Sequence, residues 1–514
     1  MKETGHVTLN LLLCMGLLGF GILTDQPASK TEKIHSLRAD QGRVSSLVFS
    51  TYIGGSRLDS IRDVTTDSEG NIYITGGTES PDFPTTPGAY DRTFNGWHDV
   101  FVAKFDSSGK LLWSTLLGGP NYDRAYAIEV DRLGYVYVAG RAGPGFPTTT
   151  GSVQPTYQGY YTGKGYADQN AFTAKLTPDG KQLVFSSYIG VGALCRDLAI
   201  DRNGDIYVPL ESPNTGREPS GKWFEKAFRD SQGGHGHGIA KIKSDGSQVL
   251  WARYLGGSSD DAAAPSIRVA DDGFVHLVMQ TQSADMPTTS RAYNRTTNGL
   301  SDLYVAKISN DGSKLVFATY FGGSKDEFNE AHQLAVDPQG NLYVATWTAS
   351  PDFPTTNSVA QPKYGGGKSD VGVAKLSSDG SRLLASTFIG GHGGDGVEGI
   401  DIDAEGNVYI SGTTDSRDFP VTRDAFQRQH RGGQDGFVVK LSSDLTRVLY
   451  ATYMGGSGDD GYRSLAVDSK GNLLLAGWTR SDDFPALNAF QAIRRGDWDG
   501  TLAMLTTNTS RNRK

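Results

Sequence analysis

Arg196, Cys195, His235 and His237 bring together, in one stretch of chain, side-chain types that bind and catalyse. Tyr157, Tyr160, Tyr161, Lys164 and Tyr166 precede them, Trp223 falls between Arg196 and the histidines, and His98 stands further upstream. Two chemistries suit such a set. In the first, Arg196 and Lys164 pair with the carboxylate or sulfate of an acidic glycan, while Tyr157, Tyr160, Tyr166 and Trp223 stack on sugar rings beside His237. In the second, the same groups carry out β-elimination on a uronate: Arg196 neutralises the carboxylate, His235 or His98 is the base and Tyr161 the acid. Cys195, His235 and His237 would also supply three ligands to zinc. The competing reading makes Cys195 a small buried hydrophobe and Gly-His-Gly-His-Gly, residues 234–238, a flexible strand entry. His276 and His332, within expected strands, and His392, in a loop, read as structural.

Composition narrows the partners. Lys+Arg 49 against Asp+Glu 57 gives a net charge of -8, so no basic field is available for a nucleic-acid backbone. With two cysteines, Cys14 and Cys195, neither a disulfide framework nor a four-cysteine zinc site can be built. Gly-x-Ser-x-Gly between strand and helix, a phosphate-binding Gly-Lys-Ser/Thr loop and His-Glu-x-x-His are all absent. Cofactor-dependent redox and phosphoryl chemistry are therefore unsupported, and neither function requires a cofactor.

The elements that must position these residues are written as a repeat. A Gly pair closes an apolar strand at Gly54-Gly55, Gly118-Gly119, Gly256-Gly257, Gly322-Gly323, Gly390-Gly391 and Gly455-Gly456, with Gly190-Val191-Gly192 as a variant. A short strand ending in Asp follows, then an Asp-x-x-Gly-Asn hairpin, as at Asp67 to Asn71, Asp337 to Asn341 and Asp468 to Asn472. A third strand leads to a longer loop with Phe-Pro-Thr-Thr at 83–86, 146–149 and 353–356; a fourth, such as Phe101-Val102-Ala103-Lys104, leads to the next Gly pair. Four strands per unit and seven units predict an all-β, seven-bladed propeller of four-stranded antiparallel blades. The chain opens on a lone Gly-pair strand at 47–53, and its last unit lacks one. The first strand is thus expected to complete the last blade and bury two edges.

In this order the motifs resemble the bacterial SBBP repeat: Ser-Thr-Tyr-x-Gly-Gly, Ala-Val-Asp-x-x-Gly-Asn-x-Tyr-Val, Asp-Phe-Pro-Thr-Thr and Phe-Val-Ala-Lys-Leu. The resemblance spans about residues 47 to 505 and implies a secreted or surface-attached bacterial propeller; it brings no catalytic residues. Seven-bladed polysaccharide lyases use Arg, His and Tyr as in the second chemistry above, a similarity of fold and residue type alone.

Strand parity places the two kinds of tight turn on one face and the Phe-Pro-Thr-Thr and Gly-pair loops on the other, whichever loop crosses between blades. The long-loop face is where a ligand is expected. Four residues beyond the second Gly it carries Asp59, Asp123, Asp261, Glu327, Asp395 and Asp460, with Arg196 at the same count in the third unit. These acids either cap the turn or form a ring for a hard cation such as calcium. The expected organisation is a signal segment (1–29), a linker (30–46), the propeller (47–505) and a polar tail (506–514). The apolar run Leu11 to Leu23 is too short to span a bilayer and suits a secretory signal. The expected product is a secreted or surface-held monomer with no transmembrane segment, whose partner is a polysaccharide or another surface macromolecule.

Overall fold

A computed structural model of the chain describes residues 46–159, 169–211, 227–229, 236–259, 261, 265–270, 272–328 and 330–506, all within the compact unit Arg43–Lys514. Among them every regular element is a strand, and no helix is long and apolar enough to cross a membrane. The strands form seven antiparallel sheets, and each is a propeller blade. The innermost strands are Asp59–Thr66, Arg124–Val130, Ala199–Ile200, Ser266–Val269, Leu334–Val336, Asp395–Ile402 and Asp460–Val467, numbered here as blades 1 to 7. A short strand, Phe228–Arg229, adds in parallel to the outer strand of blade 3.

Closure follows the expected route. Ser46–Ile53 pairs antiparallel with Asp499–Thr506 and becomes the outer strand of blade 7. The paired region is thus one residue longer at each end than the repeat pattern predicts. The Gly-pair turn is the segment that crosses from each outer strand to the next inner strand, which settles what parity left open.

Apolar side chains from adjacent blades interdigitate to form the core. Tyr73, Val100 and Val102 of blade 1, for example, pack on Val136, Val138 and Phe172 of blade 2. The Phe-Pro-Thr-Thr loops are anchors: Phe83 stacks on Phe101 at 4.6 Å, Phe146 lies 4.4 Å from Phe172 and Phe419 lies 4.6 Å from Phe437. Such pairs add about 0.5–1.5 kcal/mol beyond their buried area. Where a Tyr stands two residues before the Gly pair, as at Tyr52, Tyr188, Tyr320 and Tyr453, it ties down the same loop. Tyr188 and Tyr320, for instance, donate their hydroxyls to the carbonyls of Gly143 and Ser283.

The acids beyond the Gly pairs cap the turns. The N–H groups of Gly55, Gly119, Gly257, Gly323, Gly391 and Gly456 donate to Asp59, Asp123, Asp261, Glu327, Asp395 and Asp460 at 2.6–2.9 Å. The first Gly sits against two carboxylates from neighbouring blades. A Cβ on Gly322 would lie 2.3 Å from Glu327 Oε2 and 2.5 Å from Asp302 Oδ1, so glycine alone fits. These acids are fully buried, one to a turn, so the exposed cation ring is not what the fold builds.

Burial outweighs the donors around these carboxyls and pushes Asp59 and Glu327 up to about 7 and Asp123 up to about 8. In the unfolded chain they ionise near 4, so between these values the folded state holds protons that the unfolded state has released, and stability falls as pH rises. Asp123→Asn carries no such proton. The stability of the native chain relative to Asp123→Asn should decline by about 1–3 kcal/mol from about pH 5 to 8 in urea denaturation; a pH-independent difference would contradict the assignment.

Candidate functional site

The inner strands carry a bulge that turns one residue out of the ladder. Register shifts fall between Ile61 and Asp63, Ala125 and Ala127, Val397 and Gly399, and Tyr462 and Ser464. A bulge re-aims the side chain it extrudes, and here the extruded residues are Arg62, Tyr126, Glu398 and Arg463. Arg196 holds the same position in blade 3. Asp63 and Asp197, the next residues along, make matching bonds: each accepts the following residue's N–H and one from the next blade, Ile128 and Ile267 respectively, at 2.8–2.9 Å. Arg196 therefore does not replace a turn-capping acid, as the count from the Gly pair suggested. Blade 3 has three residues fewer between its Gly pair and its Asp hairpin, so Arg196 belongs with Arg62.

These residues meet around Tyr126. The guanidinium carbons of Arg62, Arg124 and Arg196 lie 5.4 Å from its ring centroid and that of Arg141 lies at 5.5 Å. Arg124 and Arg141 both donate to the Tyr122 hydroxyl, at 3.1 and 3.3 Å. The His98 ring lies 4.5 Å from Tyr122, in space left by Gly77, where a Cβ would meet the imidazole at 1.8 Å. Burial alone would raise the Tyr126 phenol, but Arg141, Arg124, Arg196 and Arg62 override it and bring it down to about 7. Burial and the arginines hold His98 neutral, well below the usual imidazole range.

Counter-charges are shared unevenly. Arg196 binds Glu211 Oε1 through Nε at 2.8 Å and Glu330 Oε2 through Nη1 at 3.3 Å. Arg463 binds Glu398 at 2.5 Å and Arg268 binds Asp197 at 3.0 Å. Among the described residues no carboxylate pairs with Arg62, and its buried Nε has no hydrogen-bond partner. Burial, with Arg124 and Arg463 nearby, pulls its guanidinium well below its ordinary value.

His332 bridges the tunnel. It lies in a break of the blade 5 inner strand, not within a strand as the pattern suggested, and adopts φ +64°, a left-handed conformation rare for a side-chain-bearing residue. Its Nε2 lies 3.0 Å from the Tyr126 carbonyl, and Nδ1 lies 3.4 Å from Asp197 and 3.8 Å from Asp63. Burial opposes the charge, but Asp63 and Asp197 raise His332 to about 9. A protonated imidazole thus ties blade 5 to blades 1, 2 and 3.

The profile of the SBBP family, described as a beta-propeller repeat, matches residues 48–84, 112–147 and 449–485. Three segments of the chain thus match the SBBP repeat. It is 23% identical over 450 residues to the regulatory protein FlaEY of Caulobacter vibrioides, covering 85% of this chain and 38% of that protein. The chain thus spans well under half the length of that curated relative. Similar solved structures include the WD40 β-propeller domain of Doa1, 11% identical with a TM-score of 0.43 and covering 91% of this chain and 98% of that one. A Dyadobacter fermentans protein of unknown function is 12% identical with a TM-score of 0.43, covering 90% and 99%. The quinohemoprotein alcohol dehydrogenase of Comamonas testosteroni is 11% identical with a TM-score of 0.43, covering 93% and 79%. Likenesses at this level carry no inference about chemistry.

Of the residues singled out in the sequence, the fold brings Arg196 and His98 into one cluster. Tyr157 packs edge-on against Tyr188 at 5.7 Å. Cys195 is fully buried in the core cluster of blades 2 and 3, its thiol raised by burial and donating to the Asp197 carbonyl at 3.0 Å. His237 opens the third strand of blade 3, buried beside Glu211 and Asp261, and burial lowers its imidazole. Tyr160, Tyr161, Lys164, Tyr166, Trp223 and His235 lie outside the described residues, and so therefore does one of the three proposed zinc ligands. Among the described residues no group of three or more His, Cys, Asp or Glu could hold a metal. His276 lies in a strand and His392 in a loop, as expected.

Sequence reasoning missed Arg62, Tyr126, Tyr122, Arg141, Glu211 and Glu330. Counting back from the Asp-x-x-Gly hairpin, not forward from the Gly pair, aligns Arg62, Tyr126, Arg196, His332, Glu398 and Arg463 at one position. Arg196→Ala should strand the buried Glu211 carboxylate and cost about 3–5 kcal/mol in thermal or urea unfolding; a loss under about 1 kcal/mol, typical of a surface change, would show that the pair is not structural.

Proposed function

We propose that this SBBP propeller is a secreted or cell-surface module that binds an acidic polysaccharide, or a similarly anionic surface macromolecule, on its long-loop face. The observation that carries this reading is the Arg62 guanidinium, buried in the tunnel with no carboxylate partner among the described residues. Proteins pair buried charges or supply the partner from a ligand. Arg124 opens its inner strand and Arg141 stands next to the end of Val136–Ala142, so the cationic cluster faces the long loops. Trp97, 64% exposed beside His98, lies on a loop of the same face and offers a flat surface for sugar rings. Binding of this kind needs no metal or cofactor.

A second reading, a polysaccharide lyase acting by β-elimination, is favoured by one observation. A phenol brought down to about 7 among four guanidiniums is a proton-transfer group at neutral pH.

Titration calorimetry with polygalacturonate, a sulfated polysaccharide and neutral dextran separates these readings. Binding to the acidic polymers only, weakened by added salt and about tenfold by Arg124→Gln, supports the module. Unsaturated-uronate absorbance that disappears in Tyr126→Phe would establish the lyase. Equal binding to dextran, or binding to none of the three, contradicts the proposal and leaves a structural scaffold.

A further inference from the structure

We infer that the upper half of the tunnel is a blind receptor for one oxyanion group, a carboxylate or a sulfate or phosphate ester, held by Arg62, Arg124 and Arg141 above the His332 bridge. This deepens the acidic-polymer reading and rests on it for the source of the group, but its own argument is local.

Three observations converge. First, the guanidiniums differ in what satisfies them. Arg196, Arg463 and Arg268 are each within 2.5–3.3 Å of a carboxylate, whereas Arg62 makes no hydrogen bond or ion pair among the described residues; it lies over the Tyr126 ring and within electrostatic reach of Glu398, whose carboxylate is bonded to Arg463. A guanidinium presents five donors in a fixed fork suited to an oxyanion. Second, that fork is part of a convergent group. Arg62, Arg124 and Arg141 surround one aromatic ring, and Arg124 and Arg141 already point at a single oxygen, the Tyr122 hydroxyl. Third, the tunnel does not run open past them. His332 crosses from blade 5 to the Tyr126 carbonyl, Asp63 and Asp197, and the Gln333 amide continues the crossing to the Val397 carbonyl at 2.5 Å. A polymer therefore cannot thread through, and what enters from the long-loop face is a side group or a chain end. Arg62 as a residue is only half-buried, although its Nε is enclosed.

The test uses simple anions. Sulfate, phosphate and glucuronate are titrated calorimetrically into the full chain at low ionic strength, with melting temperatures measured alongside. One anion should bind per chain and raise the melting temperature. Arg62→Gln should melt higher than the native chain without anion, because an uncompensated buried charge is gone, and should bind at least tenfold more weakly. Arg428→Gln, an exposed loop residue, should change neither. A preference for glucuronate identifies a planar carboxylate as the natural group, and a preference for sulfate or phosphate a tetrahedral ester. Binding that is unaltered in Arg62→Gln, or no binding of any of the three, overturns the inference. Should Arg62→Gln not fold, Arg62→Lys, which keeps the charge and loses the fork, must still weaken glucuronate binding. Small-anion binding without polysaccharide binding sinks the polymer reading alone; polysaccharide binding undiminished in Arg62→Gln sinks this one alone.

Discussion

The crossing from blade to blade depends on one interaction, a buried carboxylate accepting the N–H of the second glycine in the turn. The carboxylate fixes where the inner strand begins, and the paired glycines are required because neighbouring acids occupy the space a side chain would need. In blades 4 to 7 the same acid also takes a hydroxyl from a Thr of the blade's second strand. In one place it thus joins the end of one blade, the start of the next and the entry to the long loop. The transition from blade 2 to blade 3 does without it. There Asn170 accepts the Gly192 N–H at 3.1 Å, and the Leu194 and Glu211 backbones exchange two hydrogen bonds. This shorter crossing places Arg196 and Glu211 together at the tunnel.

Once the strand start is fixed, the bulge decides what the tunnel contains. The extruded position is neither core nor solvent-facing rim, so its residue is free to vary between blades without loss of packing. Here it holds three arginines, a tyrosine, a histidine and a glutamate. Most of the charge is neutralised internally, and the His332 bridge, held by two carboxylates, belongs to that framework. Among the described residues the guanidinium left without a hydrogen bond or ion pair is Arg62 of blade 1. Two properties, a phenol acidified by guanidiniums and a guanidinium without a counter-ion, meet at Tyr126.

The fold was almost wholly legible in the sequence because each repeat states its turns in residues with few alternatives: paired glycines, Asp-x-x-Gly hairpins and Pro-containing loops. Closure was legible as well, since a lone outer-type strand at one end matches a missing one at the other. The site was legible only in part. Arg196 and His98 stood out because they break a pattern, but Arg62 and Tyr126 occupy a bulge that hydrophobic alternation does not reveal, and Tyr126 is one of 23 tyrosines. His332 was misread as a strand residue because the break in blade 5 lengthens the segment without changing its flanking motifs. Glu211 follows the second strand of Arg196's own blade and Glu330 comes from blade 5, so only the fold brings them to Arg196.

The most direct measurement of the central claim, four guanidiniums gathered around Tyr126, is a tyrosinate absorbance titration of the native chain beside Tyr126→Phe. The account predicts that one tyrosine ionises near pH 7 in the native chain, far below the usual phenol value near 10, and that this step vanishes in Tyr126→Phe. A native chain in which no tyrosine ionises below about pH 9, within a unit of that ordinary value, would contradict it.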